Sequence, residues 1–213
     1  MPVNIGVFGG SFDPPHHGHR RLVERALEQL RLDAIWVVPV GIPVHRMLSP
    51  ITPQQRLQLV KAMFADIPQV TVVDWEVNAD TATPTSHTLA RFNDQHPHIT
   101  PLFLLGMDAW AGMESWLDYP IHRELCNVAV FSRAGITPCH LEGWQHCTLS
   151  AWQQGQAQDA GHVVFVPDAL PDISATALRR ALQAGDSSLI QQSAPIKKLL
   201  QQWYGHGDNR IDE

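Results

Sequence analysis

The densest chemistry in the sequence lies in Gly9-Gly10-Ser11-Phe12-Asp13-Pro14-Pro15-His16-His17-Gly18-His19. Two glycines follow an apolar run, so backbone can approach a ligand closely there. His16 and His19 stand three apart where a helix is expected to begin, which puts both imidazoles on one side of its entrance. The free N–H groups of a helix start attract anions. Two protonatable rings at such a place read as a clamp for a polyphosphate. The plainer alternative is a turn with exposed histidines, since the chain carries 12 of them. The glycine pair, the strand before it and the helix after it favour the clamp.

Familiar phosphate loops do not account for this stretch. No G-x-x-x-x-G-K-[ST] run occurs, so it is not a P-loop. The first turn is not G-x-G-x-x-G, and the second expected strand ends in Pro39-Val40-Gly41 with no acid placed for a ribose hydroxyl. A nicotinamide-dependent redox role thereby loses its main support. A second candidate is Ile173-Ser174-Ala175-Thr176-Ala177-Leu178-Arg179-Arg180. Ser174 fits an N-cap that leaves N–H groups for phosphate, and Arg179 has the length to reach back toward a ligand there. An ordinary capped helix with surface arginines is the alternative. Cys139-His140 and His146-Cys147 gather zinc-type donors, but no C-x2-C pair is present. The group reads as a loop holding reduced thiols, and no metal site is assigned.

These residues need a frame. Apolar strand-like runs at 3–8, 34–40, 70–77, 101–105, 128–131 and 163–166 alternate with helical patterns. The helices are expected at 19–30, from Thr52-Pro53 onward with Leu57, Val60 and Met63 on one face, at 86–93, from Ser174, and at 194–204. This alternation predicts an α/β fold: a Rossmann-like, doubly wound, mostly parallel sheet with helices on both faces. Ligands collect at the C-terminal edge of such a sheet. Residues 135–161, rich in Gln, His, Gly and Trp, read as an irregular insertion or long connection. At 213 residues, the length predicts one domain over 1–204 and a polar tail over 205–213.

Composition narrows the partners. With 44% hydrophobic and 17% charged residues the chain is an ordinary globular one. Its net charge of −6 argues against a broad surface for nucleic acid or anionic lipid, but not against a phosphorylated small molecule. No apolar run approaches a membrane span. Three cysteines and the lack of a secretory pattern at the start point to a reducing cytoplasm. Oligomeric state is not set by the sequence.

GGSFDPPHHGH resembles the GG[ST]FDPxHxGH signature of the HxGH-motif nucleotidyltransferases, and ISATALR resembles their ISxTxxR motif. Within that superfamily the chain is most similar to the bacterial nicotinate-nucleotide adenylyltransferases. Pro43-Val44-His45-Arg46 is similar to their PPH[KR] segment, Thr85-Ser86-His87-Thr88-Leu89 to YTxxTL, and Gly106-Met107-Asp108 with Trp116 to GxD…W. Val44, Pro84 and Ala134 depart from the proline, tyrosine and proline usual in the family. They fall in the region the family places around the pyridine nucleotide. Nicotinamide mononucleotide or another phosphate-bearing acceptor therefore stays open, as does a nucleotide-binding relative without turnover.

The resemblance implies transfer of AMP from ATP to nicotinate mononucleotide, with deamido-NAD and pyrophosphate as products in NAD biosynthesis. Mg²⁺ would arrive with the triphosphate. His16, His19 and Arg179 would be catalytic. Gly9, Gly10, Ser11, Phe12, Gly18, Gly106, Asp108, Ser174 and Thr176 would bind ATP. His45, Arg46, Thr85, Trp116 and Arg133 would bind the pyridine mononucleotide, with Trp116 stacked on its ring. Trp116 as core filling, Thr85 as a helix cap, and His45, Arg46 and Arg133 as surface charges are the alternatives.

Overall fold

The computed structural model describes residues 4–43, 49–132, 139–157, 159–167, 170–171 and 173–205. Seven strands form one sheet: β1 (Ile5–Gly10), β2 (Ala34–Pro39), β3 (Val70–Val72), β4 (Leu102–Gly106), β5 (Asn127–Phe131), β6 (Gln145–Cys147) and β7 (His162–Val166). Their order is β3-β2-β1-β4-β5-β7-β6, and every pairing is parallel. The helices are α1 (His17–Leu30), α2 (Pro53–Phe64), α3 (Thr85–Gln95), α4 (Met107–Ala111), α5 (His122–Leu125), α6 (Leu149–Gln153), α7 (Ala175–Gln183) and α8 (Ala194–Tyr204).

Period-2 alternation splits the strand side chains between two cores. Leu102, Leu104, Ala129 and Phe131 face a cluster built with α1, α2, α7 and α8. Phe103, Leu105, Val128 and Val130 face a second cluster built with α3 and α4. Both faces of the sheet are therefore covered, which is why its strands read as near-continuous apolar runs. The result is a Rossmann-like α/β fold. Chain order reverses between β1 and β4, where Gly6 pairs with Leu102 and Val7 with Phe103. A crevice opens beyond the C-terminal ends of those two strands, lined by Gly9, Gly10, Phe103 and Leu105.

Several elements differ from the sequence expectation for local reasons. The helix expected from residue 19 begins at His17, because His16 is its extended N-cap and its N–H donates to His19 Nδ1 at 3.1 Å. The third strand stops at Val72 instead of 77. Beyond it the chain turns so that the Glu76 carbonyl packs on Gly41, where a Cβ would lie 1.8 Å from that oxygen. The buried stripe of α2 is Arg56, Leu59, Val60, Met63 and Phe64, leaving Leu57 half-buried. The helix expected at 86–93 runs from Thr85 to Gln95 with Pro84 as its N-cap. The segment expected to be irregular holds β6 and α6, and β6 closes one edge of the sheet by pairing with β7. Short edge strands bond mainly through backbone, so polar Gln145-His146-Cys147 left no apolar pattern to read. Among the described residues no helix is long and apolar enough to cross a membrane.

His122 is wholly buried, and neither ring nitrogen has a hydrogen-bond partner among the described residues. Burial lowers its pKa below the ordinary 6.5, against a smaller opposing pull from Asp118. The folded state therefore binds fewer protons than the unfolded one as pH falls below 6.5. Stability is full above that pH and declines below it, by at most about 1.4 kcal/mol per pH unit for one histidine. Melting temperatures measured from pH 7.5 to 5 are expected to fall, and His122→Leu to flatten that fall. An unchanged slope in His122→Leu would remove His122 as a source of it.

Candidate active site

The loop after β1 turns on Phe12, which has φ +44°. Its ring is fully buried, edge-on to Phe8 at 5.3 Å and 4.9 Å from the ring of His19. Phe12 thus supports a histidine and does not face the cavity. The residue expected at ATP is thus placed with its side chain in the core. The rings of His16 and His19 stack with centroids 3.8 Å apart. Because His19 Nδ1 accepts the His16 N–H, neutral His19 carries its proton on Nε2 as a donor. Burial, then the neighbouring His16, holds the His19 pKa well below the usual histidine value. The ring is therefore neutral at pH 7.

Gly18 lets the two motifs meet. A Cβ there would stand 3.0 Å from His16 Nδ1 and 3.2 Å from Ile173 Cγ2. Ile173 leads directly into Ser174, the N-cap of α7, whose Oγ accepts the Ala177 N–H at 3.1 Å. Arg179 reaches back as expected. Its Nη2 donates to Thr176 Oγ1 at 3.2 Å, its Nη1 donates to the Asp13 carbonyl, and Nη1 lies 3.6 Å from Asp13 Oδ2. Asp13 Oδ1 also accepts Tyr204 O–H at 2.7 Å and Ser49 O–H at 2.9 Å. One carboxylate therefore ties the glycine loop to α7 and α8. Burial, then the Asp13 charge, pushes the Tyr204 phenol far up, so it stays a donor.

Arg56 is the residue that sequence reasoning missed most completely. It is 2% exposed, and its guanidinium donates to the carbonyls of Ser11 (2.8 Å), Val40 (2.5 Å) and Gly41 (2.7 Å). Its signal was an arginine at the first position of an otherwise apolar helical stripe. Glu76 was missed too: it is 6% exposed and its Oε1 accepts Thr88 O–H at 2.6 Å. Asp13 and Tyr204 complete the set.

A cavity of about 340 Å³ runs along the C-terminal edge. That is the lower end of the range for small-molecule sites. Gly9, Gly10 and Ser11 form one end, and Glu76, Thr85, Phe103 and Trp116 form walls. Trp116 is half-buried and stands edge-on to Phe103 and His122 at 6.2 and 5.8 Å, so its indole is held upright. Thr85 is the first residue of α3 and not its cap. Gly106 has open space where a Cβ would project, and Asp108 is exposed in the first turn of α4. His45, Arg46 and Arg133, expected at the mononucleotide, lie outside the described residues. A larger cavity of about 970 Å³ lies at the N-terminal ends of the strands, and none of the motif residues lines it. Among the described residues Cys126, Cys139 and Cys147 are free, and no three His, Cys, Asp or Glu side chains gather as a metal set.

Comparison with known proteins places the chain in a family. The cytidylyltransferase-like family model matches residues 7–181. A probable nicotinate-nucleotide adenylyltransferase of Idiomarina loihiensis is 31% identical over 188 residues, 86% of this chain and 90% of the relative. One from Chromobacterium violaceum is 35% identical over 194 residues, 87% of this chain and 90% of the relative. The solved nicotinic acid mononucleotide adenylyltransferase of Plasmodium falciparum in complex with NaAD superposes with a TM-score of 0.70 at 19% identity, covering 94% of each chain. At that identity the likeness speaks for the fold. The chain belongs to the cytidylyltransferase-like family, among relatives that include nicotinate-nucleotide adenylyltransferases.

Proposed function

We propose that this chain is a nucleotidyltransferase that moves AMP from MgATP to nicotinate mononucleotide, yielding deamido-NAD and pyrophosphate in NAD biosynthesis. The observation that carries the reading is the junction of the two phosphate motifs, through Asp13 and Gly18, near the glycine-lined end of a cavity walled by Trp116. The named relatives support the choice of acceptor. The free thiols of the described residues support a reducing cytoplasm as the setting.

The attacking group is a phosphate monoester oxygen with a second pKa of about 6, so it is ionised at pH 7 and needs no general base. Catalysis is then positioning of two anions in line and spreading of negative charge over the α-phosphate. Backbone at Gly9, Gly10 and Ser11 admits the nucleotide. His19 Nε2–H, His16 and Arg179 supply donors to the phosphates, with Ser174 and Thr176 at the start of α7. Asp13 and Thr176 hold Arg179 near its working position, so little side-chain ordering remains for the moment of binding. Magnesium enters on the phosphates and keeps most of its waters. Gly106 gives room for the ATP sugar beside Asp108. Trp116 stacks on the pyridine ring, and the N-terminus of α3 at Thr85 turns its positive end to the ring's carboxylate. Glu76 in the same wall is the observation that favours a neutral amide, and so nicotinamide mononucleotide as a second reading.

Pyrophosphate release from MgATP, with the acid or the amide mononucleotide supplied separately, tests the reading. A higher kcat/KM for the acid is expected, and release with neither would defeat the assignment. His19→Ala is expected to lower kcat about 10²- to 10³-fold, the usual cost of one donor to transition-state charge, with little change in acceptor KM. Near-normal turnover of folded His19→Ala would remove that role. Trp116→Ala is expected to raise acceptor KM about tenfold or more, the cost of one lost stacking contact, with ATP KM unchanged. An unmoved acceptor KM would leave Trp116 as packing between Phe103 and His122.

A further inference from the structure

Glu76 is the one titratable side chain among the described residues lining the cavity. Its surroundings are specific on every side. From α3, Thr88 donates its hydroxyl to Oε1 at 2.6 Å. From α2, the charged neighbour is Arg56, whose two terminal nitrogens are already engaged by three carbonyls. From the exit of β2 comes Gly41, which has no side chain to offer. The buried carboxyl is thus held by Thr88 in a wall shared with Thr85 and Trp116, the two residues read as holding the pyridine ring.

An acidic acceptor brings a carboxylate into that space, and an amide acceptor brings a neutral group with N–H donors. Two ionised carboxyls in one small pocket repel strongly, whereas a protonated carboxyl donates a hydrogen bond to an ionised one. We propose that Glu76 selects the acceptor through its own proton: protonated, it donates to the carboxylate of the acid mononucleotide, and ionised, it repels the acid, while the neutral amide pairs with either form through its C=O or its N–H. The inference rests on the reading of this cavity as the pyridine site. Burial pushes the Glu76 carboxyl up to about 7, with the Thr88 hydroxyl and Arg56 pulling the other way. The selecting proton is therefore exchanged within the physiological range, and selectivity is set by pH.

The test is the ratio of kcat/KM for nicotinate mononucleotide to that for nicotinamide mononucleotide, measured by pyrophosphate release from pH 6 to 9. Titrations of ATP, His19 and the acceptor phosphate are common to both substrates and cancel in the ratio. The ratio is expected to hold level below about 7 and to fall about tenfold per pH unit above it, the slope of one proton. Glu76→Gln is expected to make the ratio independent of pH. Thr88→Val removes the hydroxyl that favours the ionised form, so it is expected to move the bend to higher pH. A flat ratio in the unaltered protein, or a bend that survives in Glu76→Gln, overturns the proposal. If Glu76→Gln fails to fold, Thr88→Val decides: a bend left in place or moved downward overturns it. Turnover with a flat ratio defeats this inference alone, and release with neither acceptor at any pH defeats the reading of the cavity as well.

Discussion

Arg56 places a permanent charge where 2% of the residue meets solvent. A guanidinium so buried is costly unless its donors find partners, and here three backbone carbonyls engage its two terminal nitrogens, while Nε has no partner among the described residues. Ser11 belongs to the turn leaving β1, and Val40 and Gly41 to the turn leaving β2. One side chain from α2 thereby draws two neighbouring strand exits onto a common centre. The glycine loop cannot lift away without leaving a buried charge unpaired. Burial makes the Arg56 proton easier to lose, while Asp13, Tyr204 and Glu76 oppose that shift. The same arginine therefore feels the glycine loop through Asp13 and the cavity wall through Glu76.

Around that centre the site is assembled from contacts that are local in space and distant in sequence. Asp13 is bonded by Arg179, Tyr204 and Ser49, which lie 166, 191 and 36 residues away. His16 and His19 form a stacked pair whose joint protonation is opposed by burial and by each other. The site thereby sets Arg179 beside Asp13 and holds His19 neutral.

Much of this was readable in the sequence where a signal is confined to a short stretch. The parallel sheet followed from apolar runs alternating with helical patterns, and the helix 194–204 agrees with α8 residue for residue. The two motifs marked where a clamp would sit because chemistry, capping residue and spacing lie within a few positions of each other. Arg56 and Glu76 gave no such mark. Each acts through partners on other elements, and neither arginine on a helix nor glutamate in a loop is unusual until its burial is known. The third strand was overread because Val77 continues an apolar alternation, yet the chain leaves the sheet after Val72 to place Glu76 against Gly41. The motif gives no direction for the Phe12 side chain, and packing under His19 decides where its ring goes. β6 was missed because it pairs through backbone, on which side-chain periodicity is silent.

The outermost strands of the sheet, β3 and β6, are each only three residues long. A parallel sheet with apolar strands carries an intrinsic hazard, because an open flank exposes ready-made N–H and C=O rows to any unfolded or nascent chain nearby. Here both flanks offer roughly one strand-turn of backbone, too little to template a stable added strand. The five longer strands, richest in Val, Ile, Leu and Phe, are sealed between them. A strongly apolar sheet is thereby kept out of reach of fibre-like growth by where its strands stop.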